Sequence, residues 1–579
     1  MKGSSRRLFQ IGLADKLYVS GNISPRIAEK LFTETLRDPT SKDWVLNPME
    51  SLAVVTTPHL LPLEHYFELM LLARKEPEKA LEIADQIRRH RFYSTLPLGG
   101  RLLALRWLLA APVEALSQQS KLQRQNFMVK FPAYALLSQK AENAETALRK
   151  LPLIPEDKAV ADDQSKQLAE LAKLSATQEA ILSDISLRRE PADYTFPPVE
   201  DVKGIQQRMP AGQLTMAFFN TTRAVYVFLL SKELYGYQVV NQPMQVRREL
   251  VSMLRAMGHH DKNHALSVKN LEDNAWQHHA AKLSKLLLSQ VKADVWDKYT
   301  ELVIVPDASL WYLPFEVLPI PGSDGPTRLI SKFQIRYAPT VSTTLPDGRG
   351  QRRVGKTAVV TGKMFPRDDE DLTTLAFEDM RLEVPDAVRI PVRSRLPVPS
   401  GIFSSLCDNL VVLDEVEGTT LGPYGWSPMQ IDRGKAGSTL ANWLTLPFSA
   451  PQHVVVPGYQ TAAAESLKNG GTGDEIFLTV CGLMASGTRS ILISRWRTAG
   501  QSSFDLTREF VKQLPDTPAA RAWRRSVHLL MASEIDPGLE PRVKSTGISE
   551  PLRGNHPFFW AGYLLVDTGN DPAAKPDGR

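Results

Sequence analysis

The sequence predicts an all-α N-terminal region followed by an α/β domain with a layered, mostly parallel sheet covered by helices on both faces. Three observations predict it. Apolar residues recur at helical spacing through residues 1–190. A proline-rich junction, EPADYTFPPVED (190–201), then interrupts that pattern and marks a domain boundary. Beyond it, short and nearly continuous apolar runs alternate with helical stretches, the pattern of a sheet buried on both sides.

In the first region, EHYFELMLLARK (64–75), PEKALEIADQIRRHRF (77–92) and GGRLLALRWLLAA (99–111) read as three helices. Ala80, Ile83, Ala84 and Ile87 share one face of the second. Pro77 suits its first turn, with Glu76 and Glu78 at the positive end of the helix dipole. The first two helices and their short turn resemble a tetratricopeptide pair, with no clean second copy. Residues 114–189 continue as helix, broken near Leu151, Pro152 and Pro155. There Leu168, Leu171, Leu174, Ile181, Leu182 and Ile185 form one stripe, expected to pack within the chain as a helical hairpin, the other use of such a stripe being to bind a partner.

In the second region, residues 214–240 alternate and are rich in β-branched and aromatic side chains, giving two or three strands with a turn at 220–223. Residues 243–295 return to helix. Five strands then follow in TELVIVPDA, KTAVVTGKMF, DNLVVLDEVEG, PQHVVVPGYQT and RSILISRW. The domains are expected at 1–190 and 202–569, with a disordered tail at 570–579.

Four stretches in this order resemble the CHAT family, whose members carry a caspase-like domain often preceded by tetratricopeptide-like helices. They are LVIVPDASLWYLPFEVLP (302–319), ISKFQIRYAPTVSTT (330–344), EIFLTVCGLMASGTRSILISRW (475–496) and NHPFFWAGYLLVDTG (555–569). Most of their residues read as packing. The resemblance implies a cysteine-type peptidase, with a histidine in a His-Gly pair after one strand and a cysteine in an Ala-Cys-x-Thr-Gly run after the next. Here those strand ends are VVLDEVEG and VVVPGYQTAAA. Aligned on Gly418 and Thr461, the two positions hold Glu417 and Tyr459. A carboxylate is no substitute for an imidazole, and a phenol is a poor nucleophile at neutral pH. No catalytic residue is therefore assigned.

The two cysteines offer no obvious replacement. Cys481 lies in an apolar helical stretch, and Cys407 precedes a strand rather than following one. His453 opens its strand at the far end. What remains is an acidic crevice from Asp414, Glu415 and Glu417, with Tyr459 and Gln460 beside it and Arg495 closing the next strand. It suits a basic side chain or a peptide. The plainer reading is solvated carboxylates paired with Arg495 or Arg433.

Composition narrows the rest. A net charge of +5 over 579 residues, with no basic stripe interleaved with aromatics, gives no nucleic-acid signature. The loops DRGKAGST (432–439) and KNGGTGDE (468–475) match no phosphate-binding pattern, and GYQTAAAESLKNGG reads as a helix start capped by Thr461. No metal or cofactor is expected. Two cysteines and no run of ~18 apolar residues point to a reducing, cytoplasmic protein off the membrane. The expected function is a pseudo-protease that binds a protein or peptide as scaffold or regulator. The alternative is an active caspase-like peptidase whose nucleophile is displaced.

Overall fold

The computed structural model describes residues 5–569 apart from 189, 191–194, 260–264, 322–326, 350–351, 353–354, 367–368, 419–421, 430, 432–435, 447–450, 462–466, 469–471 and 545–550. The tail 570–579, Arg433 and most of the stretch after Thr461 lie outside the described residues. The chain forms two compact units. One takes in Met1–Asn143, Lys173–Met209 and Thr340–Arg349, the other Ala144–Ala172, Pro210–Pro339 and Gly350–Arg579. Each is discontinuous in sequence, whereas the expected division was a single cut at the proline-rich junction. No helix among the described residues is long and apolar enough to cross a membrane.

The first unit is helical. Leu60–Glu68, Pro77–Ser94 and Arg101–Ala110 are the three expected helices, and Pro77 stands at the start of the second. Ala80, Ile83, Ala84 and Ile87 are at most 1% exposed, so the spacing read from sequence is the core face. Leu182 and Ile185 from the long stripe pack on Leu105, Leu109, Phe127 and Tyr134, and Leu174 is buried as well; Leu168 and Leu171, which fall in the second unit, are also buried. The stripe therefore serves packing within the chain, because exposing it would leave several large apolar side chains in water.

The second unit carries an 11-stranded sheet. The strands are β1 (Gln213–Asn220), β2 (Val225–Leu230), β3 (Tyr235–Val240), β4 (Glu301–Val305), β5 (Gln334–Tyr337), β6 (Thr357–Thr361), β7 (Ala387–Pro391), β8 (Asn409–Leu413), β10 (His453–Val456), β12 (Ser490–Ser494) and β15 (Tyr563–Asp567). Two short pairs stand apart: β9 (Val416–Glu417) with β11 (Tyr459–Gln460), and β13 (Glu534–Ile535) with β14 (Leu552–Arg553). The large sheet runs β3-β2-β1-β4-β5-β15-β12-β10-β8-β6-β7. Strands β1, β4, β5 and β15 are parallel to one another, as are β12, β10, β8, β6 and β7. The two sets meet antiparallel at β12 and β15. The mostly parallel sheet is thus as expected, and β6 and β12 are buried at every position, which requires cover on both faces. One consequence matters for the site. The carboxyl ends of β6, β7, β8, β10 and β12 all open on one rim, opposite to those of β1, β4 and β5.

Gly487 ends the helix Asp474–Ala485 with φ of 112° and turns the chain into β12, as its place in the sequence implies. A buried acid caps a later helix. Glu540 accepts from the Ser502 N–H at 2.7 Å, at the start of the helix Gln501–Gln513. Burial pushes its carboxyl up to about 8. Between the ordinary carboxylate range and pH 8 the folded chain then holds a proton that the unfolded chain has released. Stability falls as pH rises through that window. Glu540→Gln is expected to lose this component, so its urea midpoint should gain on the parent's between pH 5 and pH 8.

Candidate functional site

Parallel strands β8 and β10 carry two chain segments to the same rim. After Leu413 the chain passes through Asp414 and Glu415 into β9, and after Val456 it passes through Pro457 and Gly458 into β11. β9 and β11 pair in parallel, Tyr459 opposite Val416 and Gln460 opposite Glu417. The Val416 N–H donates to the Gly458 carbonyl at 2.9 Å. Gly458 has no alternative here, because a Cβ would collide with the Asp414 carbonyl. The two strand ends singled out from sequence are therefore neighbours.

Their side chains divide. Tyr459 is fully buried: its hydroxyl is 2.8 Å from Thr479 Oγ1, its ring centroid is 5.2 Å from that of Trp426, and a Cβ on Gly418 would strike its hydroxyl. Burial pushes the phenol well above its ordinary value. Glu417 faces the other way, exposed, on a cleft of about 510 Å³. That cleft is lined by Asp414, Glu415 and Glu417 on one side, and by Lys363, Glu370, Arg389 and Arg393 from the ends of β6 and β7 and the segments beside them.

Within the cleft, Asp414 is 6% exposed and accepts the Lys363 N–H at 2.7 Å. Burial pushes its carboxyl up. Asp414 thus ties the ends of β6 and β8 together. Glu415 pairs with Arg497, whose Nε lies 2.8 Å from its Oε1. Arg393 lies 3.7 Å from Glu370.

Arg495 is not a cleft residue. It is 0% exposed, spanning the Trp311, Ala561 and Tyr563 carbonyls, 3.7 Å from Glu316 and over the Tyr337 ring. Gln460 is half-buried beside Glu417 across the short pair. Of the six crevice residues read from sequence, the structure brings Asp414, Glu415 and Glu417 together on the cleft. It puts Tyr459 and Arg495 in the interior. The sequence reading missed Lys363, Arg389, Arg393 and Arg497. The apolar run KTAVVTGKMF identified β6, but nothing in the sequence said that β6 pairs with β8 and carries β7 on its far side.

The cysteines lie elsewhere. Cys407 is buried ahead of β8, donates to the Ser404 carbonyl at 3.3 Å and is pushed up to about 12, chiefly by burial. Cys481 is buried within the helix Asp474–Ala485. His453 begins β10 opposite Asn409, at the amino ends of the strands, where burial drives its imidazole well below its ordinary value. No group of three or more metal-ligating side chains gathers among the described residues.

Residues 277–397 and 436–568 match the family model of the CHAT domain. The stretch between the two matched segments, 398–435, holds β8 and Glu417. Two solved structures of the Saccharomyces cerevisiae separase–securin complex are similar at 8% identity, with TM-scores of 0.40 and 0.38, covering 96% and 91% of this chain. This chain spans about half of the first and less of the second, 48% and 38% of their lengths. No protein of curated function matches the sequence.

Proposed function

We propose that this protein is a cytoplasmic CHAT-type pseudo-protease, a binding scaffold or regulator. In this reading residues 202–569 form the CHAT-type domain, and the helices of residues 1–190 capture a protein partner. The cleft beside β8 takes a basic side chain of a peptide and does not cut it. One observation carries the reading: the position aligned with the family's cysteine is a tyrosine whose hydroxyl is buried and hydrogen-bonded to Thr479. A nucleophile must reach a substrate carbonyl, and a phenol held inside the fold with a raised pKa neither reaches it nor ionises near neutral pH. The burial of Cys407 and Cys481 supports the same reading, since a thiol needs exposure and a stabilised thiolate to attack.

The cleft supports recognition by its charge. Glu417 is exposed on it, with Glu415 and Asp414 behind, and Arg389, Arg393 and Lys363 form the opposite wall. Such a site favours a cationic side chain near Glu417 and repels one near Arg393. The test is fluorescence anisotropy with labelled arginine-containing peptides on the full chain. Glu417→Gln is expected to weaken the bound peptide at least about tenfold, since a charge-assisted hydrogen bond contributes ~1.5–3 kcal/mol. Unchanged affinity in that variant would remove the cleft from the account. Cleavage of the peptide would remove the pseudo-protease reading.

A further inference from the structure

The two edges of the large sheet are built differently. At the β7 edge, the Val392 N–H donates to the Thr361 carbonyl on β6. Alternation along the strand then turns Ala387, Arg389 and Pro391 outward. The Ala387 N–H is taken by the Val384 carbonyl, and proline has no N–H. One outward donor is left, on Arg389, and the exposed Arg393 follows directly. Proline and charge on an edge are the usual devices that stop further strands from adding.

The β3 edge has neither device. The Ser231 N–H donates to the Leu234 carbonyl, which fixes the bonded pairs of the β2–β3 hairpin as 229–236, 227–238 and 225–240. Tyr237 and Val239 therefore direct their N–H and C=O groups away from β2. Among the described residues nothing bonds to these groups. Tyr237 is 44% exposed, and the strand, YGYQVV, contains no charge and no proline.

We propose that β3 pairs antiparallel with β3 of a second copy of this chain, about a two-fold axis, joining two 11-stranded sheets edge to edge. Three features select a second copy. Tyr237 and Val239 present donors and acceptors two residues apart, so an identical strand run antiparallel matches each set with the other. The charged hairpin end, Lys232 and Glu233, then faces the uncharged Asn241–Met244 end of the partner copy, including Met244 at 72% exposure. Parallel pairing would instead set like charges side by side. Because the β7 edges are blunted, pairing through β3 uses the open edge of each chain and closes as a dimer instead of growing into a filament.

The test is the sedimentation-equilibrium mass of the full chain over a concentration series, with amide hydrogen exchange read at Tyr237 and Val239. The expected result is a mass rising to twice the monomer's and exchange at both amides slowing as concentration rises. Val239→Pro deletes an outward donor, and Tyr237→Lys places a charge on the edge. Each is expected to raise the dimer dissociation constant at least tenfold, while Pro391→Val at the opposite edge leaves it unchanged. A chain that stays monomeric throughout, or a dimer that persists unchanged in both β3 variants, would overturn the proposal.

Discussion

Replacing Arg495 with alanine is expected to cost the sheet-bearing unit about 3–5 kcal/mol, the usual penalty for breaking a buried charged network from one side. The guanidinium is 0% exposed and holds together three chain segments through the Trp311, Ala561 and Tyr563 carbonyls. Its neighbour Glu316 is buried too, bonded to the Tyr337 hydroxyl at 2.8 Å, and burial pushes its carboxyl up despite the nearby cation. Deleting Arg495 strands those carbonyls and leaves a cavity as well. Domains are stable by only about 5–15 kcal/mol, so the variant should show a much lower urea midpoint or fail to accumulate. Arg495→Met keeps much of the volume and removes the charge, and without the cation burial pushes the Glu316 carboxyl further toward its neutral form. It should retain more stability than Arg495→Ala. Equal midpoints for Arg495→Ala and the parent would show that this network contributes little.

Asp85→Ala is expected to destabilise the helical unit by a similar amount. The Asp85 carboxylate accepts the Val341 N–H at 2.8 Å and the Ser342 N–H at 3.1 Å, and pairs with the buried Arg88 at 2.8 Å. It thereby anchors the segment Thr340–Arg349 to the helix Pro77–Ser94. Each buried N–H left without an acceptor costs about 1–3 kcal/mol. The segment should become a site of rapid proteolysis, read as new cleavage between residues 340 and 349. Asp85→Asn keeps one acceptor oxygen and should fall between alanine and the parent. Resistance of Asp85→Ala to protease at the parent's level would contradict the anchoring role.

These two residues also show where sequence reading stops. Helices and strands were legible because burial is written locally: Ala80, Ile83, Ala84 and Ile87 at helical spacing, and the runs that became β6, β8, β10 and β12. Arg495 read as a charge near a crevice, since a cation in a sequence carries no sign of the carbonyls that will surround it. Asp85 sat unnoticed on a helix because the two amides it accepts lie more than 250 residues away. The candidate site was half legible. The neighbourhood of the strand ends at Glu417 and Tyr459 followed from the resemblance to CHAT sequences, and Asp414, Glu415 and Glu417 do line one cleft. The opposite wall, Lys363, Arg389 and Arg393, depends on the strand order β8-β6-β7, which no local pattern encodes. The burial of Tyr459 depends on Thr479 and Trp426, which lie in segments remote from it.

The most direct test of the central claim is peptide-bond hydrolysis across a positional peptide library, measured in parallel for the full chain and its Cys407→Ser/Cys481→Ser double variant. The proposed pseudo-protease reading predicts no cleavage above buffer from either protein. Cleavage by the full chain that the double substitution abolishes would contradict it.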